Sequence, residues 1–197
     1  MGNINAFKNI YNENGIDIKI INNFDNFDVN LKKVILPGVG SFDSAMRKIN
    51  ESSLRDALDN AVLHDNKPLL AVCIGMHMLG QKSEEGSVSG LGYIAGLTKK
   101  LRNSPTGKAL KLPHMGWNDV VIKDEAIWQG INATEGFYFL HSYAFYPDTR
   151  VDTIGTCNYG LNFACAIKSS NIYGFQFHPE KSLSNGVRLL KNFAEQA

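Results

Sequence analysis

The segment Leu69-Leu70-Ala71-Val72 is apolar at every position and runs into a helical pattern near Met76 with only Cys73-Ile74-Gly75 between. A strand with no polar face is covered on both sides, which is the habit of parallel sheets flanked by helices. Its neighbours agree. Ala6, Phe7, Ile10 and Tyr11 predict a first helix stopped at Gly15, and Ile16 to Ile20 alternate as a strand would. Lys33-Val34-Ile35-Leu36 reads as a short buried strand ending at Pro37, and residues 41–50 and 54–64 read as helices. Strand and helix alternate through the first half, so the expected class is α/β with a mostly parallel sheet. From Tyr93 onward, closely spaced strand candidates follow at 120–122, 137–140, 153–157, 164–167 and 172–177, and a helix over 185–194 closes the chain. Loops rich in Gly, Asn and Ser at 83–92 and 102–107 read as excursions from one core, so a single domain over 1–197 is expected.

A chain of 197 residues with a formal net charge of +1 presents no overall field toward nucleic acid or anionic lipid. It has no apolar run near the ~18 residues of a membrane span, and its first residues lack the pattern of a signal peptide. A cytoplasmic protein is expected. Cys73, Cys157 and Cys165 are odd in number with no C-x-x-C spacing, which argues against a disulfide framework and a structural metal site.

Cys73 lies where strand turns into helix, with small residues two before (Ala71) and two after (Gly75). That is the layout of a nucleophile elbow, which presents the side chain beside a helix N-terminus that favours the thiolate. A buried structural cysteine is the plainer alternative on this segment alone. A nucleophile needs a base, and Gln176-Phe177-His178-Pro179-Glu180 supplies one at a strand end. In extended backbone His178 and Glu180 share a side, so the carboxylate can orient an imidazole facing the thiol. Pro37-Gly38-Val39-Gly40-Ser41 follows a strand at the carboxyl edge of the sheet, where open α/β folds bind ligands. Its amides can face an oxyanion, or the loop is a simple turn.

Together these residues resemble the class I (triad) glutamine amidotransferases, and within them the HisH family, the glutaminase subunit of imidazole glycerol phosphate synthase. The resemblance rests on Gly2-Asn3-Ile4, Leu36-Pro37-Gly38-Val39-Gly40-Ser41-Phe42, Cys73-Ile74-Gly75-Met76, Ser83-Glu84-Glu85-Gly86, Gly90-Leu91-Gly92, Pro113-His114-Met115-Gly116-Trp117-Asn118, His141-Ser142-Tyr143 and Gln176 to Ser182. It implies a flavodoxin-like fold with Cys73 as nucleophile, His178 as proton carrier and Glu180 as its orienter. It implies an oxyanion held by the amide of Ile74 and one from the loop Gly38-Val39-Gly40, the latter turned away until a partner binds. It further implies that L-glutamine is held by Glu85 and the backbone at Ser142-Tyr143. Ammonia would pass into a HisF-like (β/α)8 synthase subunit, placing Asn3, Trp117, Tyr138 and Lys181 at or near a heterodimer contact. No cofactor or catalytic metal is implied.

Three departures stand out. His77 occupies a position where the family usually has a substrate-contacting glutamine, and Ala71 stands where glycine is usual. Met1 falls directly before Gly2-Asn3, where relatives begin with a strand ending Asp-Tyr-Gly, so that strand is expected to be missing. The start then lies upstream, or the chain is a truncated, inactive or regulatory copy. His77 and the Phe175-Gln176-Phe177 environment also resemble HisH paralogues that feed ammonia into sugar amidination for surface polysaccharides, a second acceptor with the same glutaminase residues.

Overall fold

The computed structural model describes residues 3–22, 28, 30–102, 107, 109–132, 134–148 and 153–196. Gly2 of the first motif and residues 103–106 of the second expected loop lie outside them. The first helix, α1 (Ile4–Glu13), buries Phe7 and Tyr11 and docks through the Tyr11 hydroxyl, which donates to the Leu190 carbonyl at 3.1 Å. Gly15 follows at φ +70°, a conformation that ends a helix without side-chain strain.

The sheet forms around β2 (Leu69–Cys73), buried at all five positions. It lies parallel between β1 (Val34–Gly38) and β11 (Ile172–Phe175). β10 (Asn162–Ser169), β9 (Thr153–Asn158) and β6 (Val121–Ile122) continue it antiparallel, giving the order β1-β2-β11-β10-β9-β6. The sheet is therefore mixed: parallel among the three strands beneath the site, antiparallel beyond. β1 includes Pro37, which donates no ladder bond and is tolerated because β1 pairs on one side only among the described residues.

The alternating segment Ile16–Ile20 corrects an expectation. Its isoleucines are half-buried and its aspartate and lysine exposed, the pattern of a strand, yet it joins no sheet among the described residues. Side-chain alternation defines a face, but a strand also needs a backbone partner.

Beside the sheet, α2 (Phe42–Glu51) buries Phe42, Ala45, Met46 and Ile49 on one face. The expected helix 54–64 is α3 (Leu54–Asp59) continued by a π-helical turn at Asn60–His64. α4 (Ile74–Met78) begins two residues before Met76 and is buried throughout. The closing helix α5 (Leu183–Gln196) is longer than expected at both ends and packs Leu189, Leu190 and Phe193 inward.

Four strands carry no expectation from the periodicity: β3 (Lys82–Ser83), β4 (Gly96–Lys100), β5 (His114–Asn118) and β8 (Tyr143–Pro147). β5 pairs with β7 (Phe137–His141), and β3-β4-β8 form a small sheet. An aromatic cluster joins β7 to the large sheet, with Phe137 stacked on Phe177 at 4.1 Å between ring centres and Trp128 edge-on to both Phe137 and Phe175.

Candidate active site

The site begins with the backbone. Cys73 ends β2 at φ +55°, ψ −111°, a conformation disfavoured for any residue with a Cβ and held here by the junction with α4. The junction admits little bulk: a Cβ on Gly75 would lie 2.0 Å from the Leu36 carbonyl oxygen, and one on Gly38 would lie 2.6 Å from the Gly75 nitrogen. Two glycines therefore let β1 pass against the elbow. Cys73 is only 5% exposed, more enclosed than the elbow pattern suggests.

Its sulfur lines a cavity of about 290 Å³ shared with His178. Val39, Gly40, Ile74, Ser142, Tyr143 and the half-buried Glu85 line it as well. Gly38 does not line it. Gly38 is buried in β1 opposite Cys73 and supports the elbow from behind. Glu85 accepts a hydrogen bond from the Phe42 amide at 3.1 Å, and burial raises its pKa above the usual carboxylate value. The turn carrying it is fastened by Asp43, which accepts from the amides of Ser87 and Val88 at 3.0 and 3.1 Å.

His178 and Glu180 meet by another route than the extended backbone predicted. Pro179–Lys181 is a 3-10 turn capped by His178, and it swings Glu180 back so that Oε1 accepts from His178 Nδ1 at 2.9 Å. Both side chains are almost entirely buried. Burial pushes the imidazole pKa down, but hydrogen bonds and charge from Cys73 and Glu180 prevail and raise it to about 9. The turn is held by Ser182, whose hydroxyl donates to the His178 carbonyl at 2.6 Å and accepts from the Tyr138 amide at 3.0 Å. Cys73 and His178 thus meet in one cavity, with Glu180 holding His178 from behind, an arrangement that suits nucleophile, proton carrier and orienter.

His77 lines the cavity too but is 1% exposed, and its Nε2 is engaged by Gln176 Oε1 at 2.7 Å rather than left open to a ligand. Three candidate contact residues cluster: Trp117 on β5 lies opposite Tyr138 on β7 with ring centres 6.3 Å apart, and Lys181 sits over the Tyr138 ring at 5.6 Å. Lys181 also borders the cavity, so this exposed patch adjoins the site. Asn3 lies exposed at the start of α1, and that helix neighbours the Pro179–Lys181 turn.

Sequence reasoning missed two features. Gln176, fully buried, directs its amide toward Cys73 Sγ at 3.9 Å. Its signal was available, because the two-residue spacing that linked His178 to Glu180 also links Gln176 to His178. A histidine chain was missed as well. His141 donates from Nδ1 to the Tyr143 carbonyl at 2.8 Å, so its Nε2 accepts from His114 Nδ1 at 2.9 Å, and His114 Nε2 accepts from Asn118 at 3.3 Å. Among the described residues, no group of three or more His, Cys, Asp or Glu side chains is arranged to hold a metal.

Comparison with known proteins supplies independent findings. Residues 2–197 match the family described as Glutamine amidotransferase class-I. A protein of Bdellovibrio bacteriovorus described as imidazole glycerol phosphate synthase subunit HisH is 43% identical over 196 residues, covering 99% of this chain and 96% of that one. Its counterpart in Leptospira interrogans is 44% identical over 98% of this chain and 95% of its own. A crystal structure of a glutamine amidotransferase superposes with a TM-score of 0.72 over 98% of this chain and 93% of the other, at 17% identity, a likeness of fold.

Proposed function

The chain belongs to the class-I glutamine amidotransferase family, and we infer from that premise that it is a HisH-type subunit of imidazole glycerol phosphate synthase, one domain hydrolysing glutamine to glutamate and ammonia. The observation that carries the chemistry is the strained elbow of Cys73 sharing a cavity with His178, which buried Glu180 holds from behind. His178 holds the proton given up by the Cys73 thiol, and the sulfur attacks the side-chain amide carbon of glutamine. The carbonyl electron pair moves to oxygen, which the amides at Ile74 and in the Gly38-Val39-Gly40 loop receive. His178 returns its proton to the departing nitrogen, which leaves as ammonia, and water then hydrolyses the thioester. Glu85 binds the substrate's ammonium, and the Ser142-Tyr143 backbone its polar end.

Ammonia leaves toward a HisF-like (β/α)8 subunit seated on the face that bears Trp117, Tyr138 and Lys181, with Asn3 at its margin. The work is done in the cytoplasm. Among the described residues, no helix is long and apolar enough to cross a membrane. Cys73→Ala in the complex is the direct test. Glutamine-dependent synthesis should disappear while synthesis from added ammonium persists, and continued glutamine turnover would overturn the assignment of the nucleophile.

A further inference from the structure

Two buried side chains remain unexplained by the triad. Gln176 is fully buried next to the reacting sulfur, and His77 is buried behind it with Nδ1 lacking any hydrogen-bond partner. We propose that Gln176 is a further catalytic residue, whose amide N–H donates to the Cys73 sulfur, and that His77 is a positioning residue that fixes the sense of that amide. The proposal rests on the glutaminase reading for its reaction, but its geometry stands by itself.

The direction of donation follows from proton counting. Gln176 Oε1 only accepts, so the 2.7 Å contact requires a proton on His77 Nε2. Burial lowers the His77 pKa to about 4, so at neutral pH the ring carries one proton, and the contact with Gln176 Oε1 sets it on Nε2. The Gln176 oxygen is thereby committed to His77 and its NH2 group to Cys73, at 3.9 Å from Sγ. A flipped amide would set a carbonyl oxygen against the sulfur and would need the ring proton moved to Nδ1, toward the Tyr143 backbone, so the two orientations differ in which group meets Sγ. A glutamine at position 77 could also donate to the Gln176 oxygen.

The donor acts twice in the reaction. With the thiol proton on His178, the Gln176 N–H faces the thiolate. When water attacks the thioester carbon and gives its proton to His178, the C–S bond breaks, sulfur leaves with the electron pair, and the same N–H faces the thiolate again. Other titratable groups face the sulfur's cavity: His77, Glu85, His141, Tyr143, His178 and Lys181, with Glu180 behind His178. Of these, His178, held by Glu180, also faces the sulfur; Gln176 adds an uncharged donor that has no proton to transfer.

The test is iodoacetamide alkylation of Cys73 across pH in the full chain, read at its own peptide by mass spectrometry. Burial raises the pKa of both Cys157 and Cys165, which keeps their background low. Gln176→Met removes the donor at similar volume, and alkylation at neutral pH should slow about tenfold, the lower end for a hydrogen bond to a charged group. His77→Phe should shift the curve the same way by less, and His77→Gln should restore most of the parent rate. Rates matching the parent in folded Gln176→Met and His77→Phe chains would overturn the proposal. Should neither variant fold, the unaltered chain decides. The Gln176 side-chain amide proton must move in NMR on the same pH curve as Cys73 alkylation, and a flat resonance overturns the donor. Alkylation needs no glutamine, so loss of the glutaminase reading would leave this result standing, and the reverse holds too.

Discussion

At the scale of single residues, the site is a problem of where protons rest. His178 is held by Glu180 on one nitrogen and faces Cys73 with the other, and its pKa of about 9 makes it a cation at neutral pH. Removing Cys73 removes two of the influences that raise it. NMR titration of the His178 ring should therefore show an inflection near 9 in the parent and a clearly lower one in Cys73→Ala. A parent inflection at the ordinary histidine value would mean that the thiol and imidazole are not paired. The types in this triad were legible because cysteine at an elbow and His-x-Glu at a strand end each imply a chemical task. The route by which His178 and Glu180 meet was not. Pro179 turns the backbone into a 3-10 arc, and spacing alone does not distinguish an arc from an extended strand when the two side chains still face each other. Gln176 was overlooked for a different reason: its two-residue spacing to His178 implies no chemical task until the fold sets it beside Cys73.

At the scale of elements, what reads clearly is what pure burial dictates. β2 is apolar at each position and central to the parallel strands, and α2 shows its buried face at helical spacing. β4 and β5 are obscured because Gly96, Lys99 and Lys100, and His114, Gly116 and Asn118, are poor strand formers that pairing with β8 and β7 makes extended. Ile16–Ile20 is the converse, a convincing pattern without a ladder. Elements also meet at points where one methyl group decides the outcome. Gly75 packs so closely on Leu36 that Gly75→Ala must push β1 away from the elbow, and the obstacle is backbone rather than a movable side chain. The variant should lose about 2–4 kcal/mol of stability in urea titrations, in the range of overpacked cores. It should also lose glutaminase activity in whatever fraction remains folded. Gly40→Ala has no Cβ clash but must adopt φ +95°, so its defect belongs to loop geometry and catalysis more than to packing.

Across the whole molecule, four buried histidines oppose one another, and their balance sets how stability follows pH. Burial lowers the pKa of His77 and His114 to about 4 and that of His141 to about 3. In the unfolded chain each titrates near ~6.5, so from there down toward 4 the unfolded state binds up to three more protons and folding weakens with acid. Asp43 and Glu84, whose pKa values are lowered by backbone hydrogen bonds, add to the loss at still lower pH. Glu85, raised by burial, works in the opposite sense, but it is one group against three. His178 shapes the other limb. Its raised pKa contributes stability that is complete below ~6.5 and is lost as pH climbs through about 9. The melting temperature should therefore peak near neutrality and fall on both sides, and the two falls have separable causes. His178→Asn should flatten the alkaline limb and leave the acid limb intact, because the acid limb belongs to His77, His114 and His141. The relay His141–His114–Asn118 gives that limb its steepness: a proton added to either ring removes the acceptor on which its neighbour depends. Calorimetry from pH 5 to 9 on the parent and on His178→Asn would decide the matter, and a parent melting temperature that rises steadily to pH 9 would show that His178 is not held as a cation by Cys73 and Glu180.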